Sequence, residues 1–263
     1  MDVRMKKTEL PRLIGMVHLL PLPGAPRAVA IGEVLRRAER DASVLEAAGF
    51  DALMIENFGD APFFPGRVPH ETVAAMSAII AGIAAKSPLP IGVNVLRNDG
   101  ESALGIAAAT GAAFVRINVL TGAMVTDQGI IEGTAHAVAR TRARLCPTVR
   151  IFADVLVKHA QPLAPAPLEQ LVHDTVARGG ADALVVSGDG TGKPVSAERL
   201  AAVAAAAHAP VYIGSGLSLK NAAALLAVAQ GAIVGSSIKT TGDPASPVDP
   251  KKARALVQAL RRS

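Results

Sequence analysis

Aromatic side chains are scarce in this chain of 263 residues, which contains no Trp, one Tyr and six Phe. Proteins that hold single-stranded nucleic acid stack the bases on aromatic rings, so the shortage removes the usual platform for that function. Cysteine is rarer still, because Cys146 is alone. A single cysteine excludes an internal disulfide and favours a reducing compartment. We therefore expect a cytoplasmic protein that does not bind nucleic acid.

Acidic residues are absent from the last thirteen positions, and this local absence explains the net charge of +5. The segment carries five basic residues, and without them 22 basic residues balance 22 acidic ones. The pattern predicts a basic surface helix at the end of the chain. The five residues are Lys251, Lys252, Arg254, Arg261 and Arg262.

Long hydrophobic runs of the kind that cross a membrane are also missing. The ranges Leu200–Leu219 and Asn221–Ile238 contain no charged residue, but they are rich in Ala and interrupted by His208, Pro210 and several glycines. The first residues, MDVRMKKTELPRL, are charged and lack the apolar core of a signal peptide. We expect no integral membrane span.

Short β-like runs alternate with longer helical patterns along the whole chain, and Gly or Pro stands at most junctions. The predicted strands are Leu13–His18, Ala52–Glu56, Ile91–Val95, Phe114–Asn118, Val149–Asp154, Ala183–Ser187, Val211–Gly214 and Ala232–Gly235. The predicted helices are Ile31–Ala48, Glu71–Lys86, Ser102–Thr110, Ile131–Leu145, Leu168–Arg178, Ser196–Ala207, Ser218–Ala229 and Pro250–Arg262.

Eight strands that are each followed by a helix predict an α/β fold, a (β/α)₈ TIM barrel built as a single domain over residues 1–263. No linker or low-complexity stretch divides the chain. A doubly wound open sheet is the alternative, because the alternation of elements does not show whether the sheet closes.

Polar residues stand at the ends of most predicted strands. In a parallel barrel the active site forms at the carboxyl ends of the strands, and burying polar groups there without a function is costly. Any one of them can instead hold a loop in place, but the set predicts a site. The set is His18, Glu56, Asn94, Arg116, Asn118, Asp154, Lys158, His159 and Ser187.

The seventh and eighth predicted strands end in the same way, on Gly214-Ser215-Gly216 and on Gly235-Ser236-Ser237. Glycine lets the backbone approach a ligand closely, serine offers a hydroxyl, and the loops after these two strands often hold phosphate. Ser218 is the predicted N-cap of the following helix, whose amino end would favour an anion. Two ordinary turns are the alternative interpretation.

Several long stretches of this sequence resemble the BtpA family, and together they span about residues 13–255. The resemblance implies a barrel of the ribulose-phosphate-binding kind. It also implies the family's role in the biogenesis or stability of photosystem I in cyanobacteria. The stretches are GMVHLLPLPGAP (15–26), GFDALMIENFGDAPF (49–63), GVNVLRND (92–99), VRINVLTGAMVTDQGIIEG (115–133), ADVLVKHAQPL (153–163), DALVVSG (182–188) and the two Gly-Ser strand ends.

Ionisable residues around a phosphate cradle predict an enzyme that acts on a small phosphorylated metabolite, a sugar phosphate, by proton transfer or aldol-type chemistry. Asp154 is the predicted general base, with Lys158 or His159 as its acidic partner and Glu56 in the catalytic set. Lys158 would form a Schiff base if it were desolvated, although its surroundings favour a loop lysine. The predicted substrate-binding residues are His18, Asn94, Arg116, Asn118, Ser187, Gly214, Ser215, Gly216, Gly235, Ser236 and Ser237.

Two alternatives to this function remain open at the level of sequence. No cofactor is predicted, but His18, Glu56, Asp154 and His159 offer ligands for a divalent metal without any compact spacing. The rival function is a non-catalytic assembly factor that acts by protein contacts.

The loop NFGDAPFFPGRVP (57–69) contains three of the six Phe residues, which is dense for an exposed segment. The three are Phe58, Phe63 and Phe64. This loop predicts a homo-oligomer that buries part of the segment, with a lid over the ligand as the competing use.

Overall fold

Eight parallel strands close into a barrel in the computed structural model, which describes residues 10–188, 190 and 195–261. The charged amino-terminal residues 1–9 and Arg262, both used in the sequence argument, lie outside the described residues. Closure is made by the first barrel strand, which pairs in parallel with the last one, Ile14 beside Ile233. The predicted barrel is therefore confirmed, and the open-sheet alternative is wrong.

The barrel strands, in spatial order around the ring, are β1, β2, β3, β4, β7, β9, β10 and β11. Their bounds are β1 Leu13–His18, β2 Ala52–Glu56, β3 Ile91–Asn94, β4 Phe114–Ile117, β7 Arg150–Asp154, β9 Ala183–Val186, β10 Val211–Ile213 and β11 Gly231–Val234. Each lies within two residues of its predicted ends, because these apolar runs are buried on both faces.

Helices cover the outside of the barrel. Their bounds are α1 Ile31–Ala48, α2 His70–Ala84, α3 Gly100–Thr110, α4 Ala135–Leu145, α5 Leu168–His173, α6 Ala197–Ala206, α7 Ala222–Leu226 and α8 Pro250–Arg261. Helix α5 continues as a π-helical turn, Asp174–Arg178. Within the described part of the chain, no helix combines the length and apolar character needed to cross a membrane.

Capping residues explain where helices such as α3 start and stop. The Asp99 side chain accepts a hydrogen bond from the Ser102 backbone N–H at 2.9 Å, which satisfies one free amide at the start of the helix. Gly111 ends the helix in the left-handed conformation, φ 75°, which glycine adopts without a steric penalty.

The lower interior of the barrel is filled by side chains that include three of the seven aromatic residues, Phe114, Phe152 and Tyr212. Phe152 packs against Phe114 with 5.0 Å between ring centroids and against Tyr212 at 4.9 Å. The Tyr212 hydroxyl donates a hydrogen bond to the Pro11 carbonyl at 2.9 Å, so its polar end is satisfied. The interior is thus closed at this end, and only the opposite end is available for a ligand.

A small antiparallel sheet above the barrel was not predicted. It comprises β5 Ala123–Thr126, β6 Gly129–Glu132 and β8 Ala160–Pro162, in the order β6-β5-β8. The helix predicted from Ile131 therefore begins only at Ala135. Met124 and Ile131 lie opposite each other and are both buried, so a two-residue alternation was present but short.

The helix predicted at Ser218–Ala229 is also wrong in its bounds, because α7 is only five residues long. Residues 218–221 form a turn in which the Ser218 backbone N–H donates to Asn221 Oδ1 at 2.8 Å. Ser218 is therefore not a helix N-cap, and α7 is too short to supply a useful dipole.

Candidate active site at the barrel mouth

At the carboxyl end of every barrel strand, within one residue of its last position, the inward-facing residue is either polar or glycine. Successive strand residues point to opposite faces, so these positions lie two residues beyond interior side chains such as Met16, Met54 and Phe152. The polar side chains among them are buried. The eight positions are His18, Glu56, Asn94, Arg116, Asp154, Ser187, Gly214 and Gly235.

Strand register brings four of these side chains to one level. His18 lies beside Glu56 in the β1–β2 pair, Glu56 beside Asn94 in β2–β3, and Asn94 beside Arg116 in β3–β4. These four side chains, which the sequence placed at different strand ends, are therefore neighbours in one polar layer above an apolar interior.

Arg116 and Asp154 form a buried bidentate ion pair in this layer. Arg116 Nε and Nη2 each donate to one Asp154 carboxylate oxygen at 2.8 Å. Burial opposes the charge on Arg116, but the Asp154 carboxylate outweighs it and raises the pKa of the guanidinium. Because both oxygens accept from Arg116, the geometry argues against Asp154 as the general base and assigns it the role of holding Arg116.

Asn94 holds Arg116 in place by a hydrogen bond to its backbone. Its side-chain amide donates to the Arg116 carbonyl at 3.0 Å and to Asn118 Oδ1 at 3.1 Å. The amide oxygen of Asn94 is buried and has no hydrogen-bond partner among the described residues. An unsatisfied buried acceptor at the top of the barrel is costly and fits a site that a ligand completes.

His18 and Glu56 form a close pair of buried titratable side chains in the same layer. His18 Nε2 lies 3.8 Å from Glu56 Oε1, and both side chains are buried. Burial raises the pKa of Glu56, although Lys158 and Arg116 act in the opposite direction. Burial, followed by the charges of Lys239 and Lys158, lowers the pKa of His18, so this imidazole is neutral at pH 7.

Lys158 and His159 follow β7 in the loop that leads into the small sheet. Arg97 Nη2 donates to the Lys158 carbonyl at 2.6 Å, and His159 is exposed with φ 58°. Both residues line a cavity of about 340 Å³ at the barrel mouth, together with Glu56 and Phe63. The structure thus brings three of the four predicted catalytic residues, Glu56, Lys158 and the exposed His159, to one cavity, whereas Asp154 does not line it.

The two Gly-Ser turns lie side by side and line a second, narrow cavity of about 30 Å³. A Cβ added at Gly214 would lie 2.4 Å from Ser187 Oγ, and one at Gly235 would lie 2.9 Å from His18 Cε1. Glycine therefore permits a close approach at both positions, and a side chain at either one would force a neighbouring side chain to shift. The cavity is lined by Met16, His18, Glu56, Arg116, Lys158, Gly214, Ser215, Gly216, Leu217, Gly235, Ser236, Ser237 and Pro244.

Two serine hydroxyls around the turns have no hydrogen-bond partner within the described part of the chain. They are the buried Oγ atoms of Ser187 and Ser237. Ser215 Oγ differs, because it accepts from the Gly188 backbone N–H at 3.3 Å. Unsatisfied hydroxyls beside the cationic side chain of Arg116 are suited to the oxygens of an anion.

The divalent-metal alternative finds no support in the arrangement of these residues. In the ranges that the structure describes, no group of three or more His, Cys, Asp or Glu side chains is placed to hold a metal ion. Asp154, one of the proposed ligands, is already paired with Arg116.

The sequence argument missed a buried ion pair beneath the second Gly-Ser turn. Lys239 Nζ lies 3.3 Å from Asp41 Oδ2, and neither side chain is exposed. Asp41 also accepts from Arg37 Nε at 3.1 Å and from the Val248 backbone N–H at 3.0 Å. The signal was available, because Asp41 interrupts the apolar stripe of α1 formed by residues such as Leu45.

A family model described as the BtpA family matches residues 9–262. This chain belongs to the BtpA family. Among curated relatives of the family, the photosystem I biogenesis protein BtpA of Synechocystis is 47% identical over 250 residues, covering 94% of this chain and 87% of that protein. An uncharacterized protein of Thermococcus kodakarensis is 49% identical over 250 residues, covering 95% of both chains.

Solved structures with the same fold are much more distant in sequence. Thiamine phosphate pyrophosphorylase from Pyrococcus furiosus has a TM-score of 0.61 at 13% identity and covers 95% of this chain and 96% of its own. Phosphoribosyl anthranilate isomerase from Thermus thermophilus has a TM-score of 0.55 at 18% identity, with 95% and 98% covered. These likenesses place this BtpA-family chain among (β/α)₈ barrels.

Proposed function

We propose that this protein is an enzyme that binds a small phosphorylated metabolite, a sugar phosphate, and catalyses proton transfer beside a carbonyl group. The observation that carries the proposal is a pair of neighbouring cavities that share three lining residues. The narrow one lies between the Gly-Ser turns and the wide one lies at the barrel mouth, and Glu56, Arg116 and Lys158 line both. A phosphate in the narrow cavity would place the rest of its molecule against these three side chains.

Size and charge both support this assignment. The narrow cavity admits one small group, whereas about 340 Å³ at the mouth falls in the range of small-molecule sites. Arg116 and Lys158, which line both cavities, supply positive charge that suits an anion. The names of the similar solved barrels, which mention a phosphate and a phosphoribosyl compound, agree with this class of ligand.

Glu56 is the best-placed group to move a proton. Its carboxylate is inward-facing and belongs to both cavities, and no hydrogen bond within the described residues occupies it. By contrast, both carboxylate oxygens of Asp154 accept hydrogen bonds from Arg116. We therefore assign the general base to Glu56, with the neutral His18 at 3.8 Å as its neighbour.

A non-catalytic role in the biogenesis of a membrane complex is the second candidate, and two observations favour it. The Synechocystis relative bears the name of a photosystem I biogenesis protein. The outer face of the small sheet also exposes Val125, Ile130 and Leu163, a cluster that suits a protein contact. This function would use the outer face and leave the barrel mouth without a role.

We expect the wild type to catalyse hydrogen exchange between D₂O and the carbon beside the carbonyl of a sugar phosphate. Ribulose 5-phosphate and dihydroxyacetone phosphate are suitable probes, with loss of the C–H proton signal followed by NMR. Glu56→Gln keeps the shape of the side chain but cannot accept a proton, so exchange should fall about a hundredfold or more. Because burial raises the pKa of Glu56, the rate should rise with pH through that raised pKa.

Glu132→Gln is the matched control, because Glu132 is an exposed carboxylate on the edge strand β6. It should exchange at the wild-type rate. Equal exchange by the two variants would remove Glu56 from the mechanism, and no exchange with any phosphorylated carbonyl compound would favour the biogenesis role.

We also propose that the protein forms a homo-oligomer. The three phenylalanines of the loop 57–69 lie in different surroundings, so they are suited to different roles. Phe58 packs edge-on to His18 with ring centroids 5.0 Å apart, and Phe63 lines the mouth cavity. Phe64 is exposed. The first two therefore fit the lid and the third fits a contact between subunits.

We expect Phe64→Asp to convert a wild-type dimer into a monomer by light scattering, because a carboxylate cannot be buried in an apolar contact without a partner. Phe63→Asp should remain a dimer, with the same molecular mass by light scattering as the wild type, and should bind phosphorylated compounds more weakly. A wild type that is monomeric at micromolar concentration would refute the dimer.

A further inference from the structure

Lys158 is one of the three residues that line both cavities of the proposed site. It lines the narrow cavity with the Gly-Ser turns and the mouth cavity with Glu56. Its loop is tied down on both sides, because Arg97 Nη2 donates to the Lys158 carbonyl at 2.6 Å and Arg199 Nη2 donates to the Leu156 carbonyl at 3.0 Å. The amine is therefore presented by a fixed backbone and not by a free surface loop.

The amine of Lys158 has no structural role of its own. Within the described residues, its Nζ makes no hydrogen bond and no ion pair, and only its backbone carbonyl is used. Lys239, the other lysine close to the site, is held by Asp41 and its amine is committed to that pair. Burial lowers the pKa of Lys158, with Glu56 acting in the opposite direction. A larger share of this amine is therefore uncharged near neutral pH, which is the nucleophilic form.

We propose that Lys158 forms a covalent imine with the carbonyl carbon of the ligand, so that the substrate class is a phosphorylated aldehyde or ketone. The inference rests on the proposed phosphate site, which would hold the carbonyl beside the residues that line both cavities. It deepens the proposed function by naming the group that reacts and the residue that bonds to it.

The step balances with groups already present at the site. The lone pair of Lys158 Nζ attacks the carbonyl carbon, and the carbonyl oxygen becomes a hydroxyl by taking the amine's proton. Protonated Glu56 then donates its proton to that hydroxyl, which leaves as water while the C=N bond forms. The products are an iminium ion on Lys158, one water and the Glu56 carboxylate, which is then placed to remove the proton from the adjacent carbon.

Reductive trapping tests the proposal on the intact protein. The wild type is incubated with glyceraldehyde 3-phosphate or with unphosphorylated glyceraldehyde in the presence of cyanoborohydride, which transfers hydride to the iminium carbon and leaves a stable secondary amine. Modified lysines are located by peptide mass spectrometry over time. Lys220 is the internal reference, because it is exposed and lies outside both cavities.

We expect Lys158 to be labelled on the order of tenfold faster than Lys220 with the phosphorylated probe, because the site holds the aldehyde beside the amine. Unphosphorylated glyceraldehyde should lose this preference, and inorganic phosphate should suppress it by competition. Lys158→Met should remove the fast label, whereas Lys220→Met should keep it. Labelling of Lys158 no faster than Lys220 would overturn the proposal.

Failure of the imine and failure of the phosphate site give different results. If inorganic phosphate stabilises the wild type against heat but Lys158 is not preferentially labelled, the imine is refuted and the phosphate site stands. If phosphate gives no stabilisation and both probes label Lys158 equally fast, the phosphate site is refuted. The substrate class proposed here would then be wrong as well, because the phosphate would not be recognised.

Discussion

Replacing Gly235 by Asp should abolish the binding of phosphate and of phosphorylated ligands. The new carboxylate would lie in the narrow cavity, where we propose that the phosphate binds. Two negative charges in one small cavity repel each other strongly. A Cβ at this position also meets His18 Cε1 at 2.9 Å, so the His18 ring must shift in any Gly235 variant, and a variant without the charge is needed as a control. Gly235 is a cleaner test than Gly216, because Gly216 has a φ of +76° and any substitution there strains the backbone.

The measurement is the thermal stability of each variant with and without inorganic phosphate. A ligand at about 100 times its Kd stabilises the folded state by about 2.7 kcal/mol, and Gly235→Asp should lose all of this gain. Gly235→Ala makes the same Cβ contact without the charge, so it should lose only part of the stabilisation by phosphate. Gly105→Asp adds an equal charge on α3, where the space is open, and should retain the full effect. Phosphate stabilisation that survives in Gly235→Asp would reject the site.

Arg116→Met should destabilise the protein by about 3–5 kcal/mol, because it leaves the Asp154 carboxylate buried without a partner. Both side chains of this pair are almost completely buried, and the pair is bidentate at 2.8 Å. Denaturant unfolding at pH 7 measures the change in the free energy of unfolding. The expected loss is large because an unpaired charge in an apolar interior is far more costly than a missing contact.

Arg150→Met is the matched control, because its partner Asp182 is partly exposed and also accepts from Arg142 at 2.8 Å. Ion pairs of this kind contribute roughly 0–1 kcal/mol. Adding Asp154→Leu to Arg116→Met should recover most of the lost stability, since the unpaired charge is then gone. Equal destabilisation by Arg116→Met and Arg150→Met would contradict the assignment of Asp154 as a structural partner of Arg116.

The sequence predicted the barrel correctly because the relevant signals are local. Each barrel strand is a short apolar run between Gly or Pro junctions, and each alternates with a helical pattern. The same locality explains the errors. The strands of the small sheet are as short as some barrel strands but are largely exposed, so they are not continuous apolar runs. A helix was therefore predicted to begin at Ile131, inside β6, and the five-residue α7 was predicted too long.

The candidate site could be anticipated as a set but not as a mechanism. Most of its members lie at the inward-facing ends of the barrel strands. Once the strand ends are predicted, the residue types at these positions can be read from the sequence. The roles depend on partners. Asp154 is the predicted general base from its position alone, whereas its contacts with Arg116 are the reason why we propose Glu56 for that role.

What the sequence by itself determined is the order of elements and the presence of polar residues or glycine at the end of every barrel strand, because both follow from neighbours along the chain. The tertiary structure alone decided which of these groups meet. Arg116 and Asp154 are 38 positions apart, and Lys239 and Asp41 are 198 apart. Contacts over such separations depend on closure of the barrel and on strand register. The contacts in turn set the charge and burial of each side chain and decide which of its hydrogen-bonding groups remain unpaired.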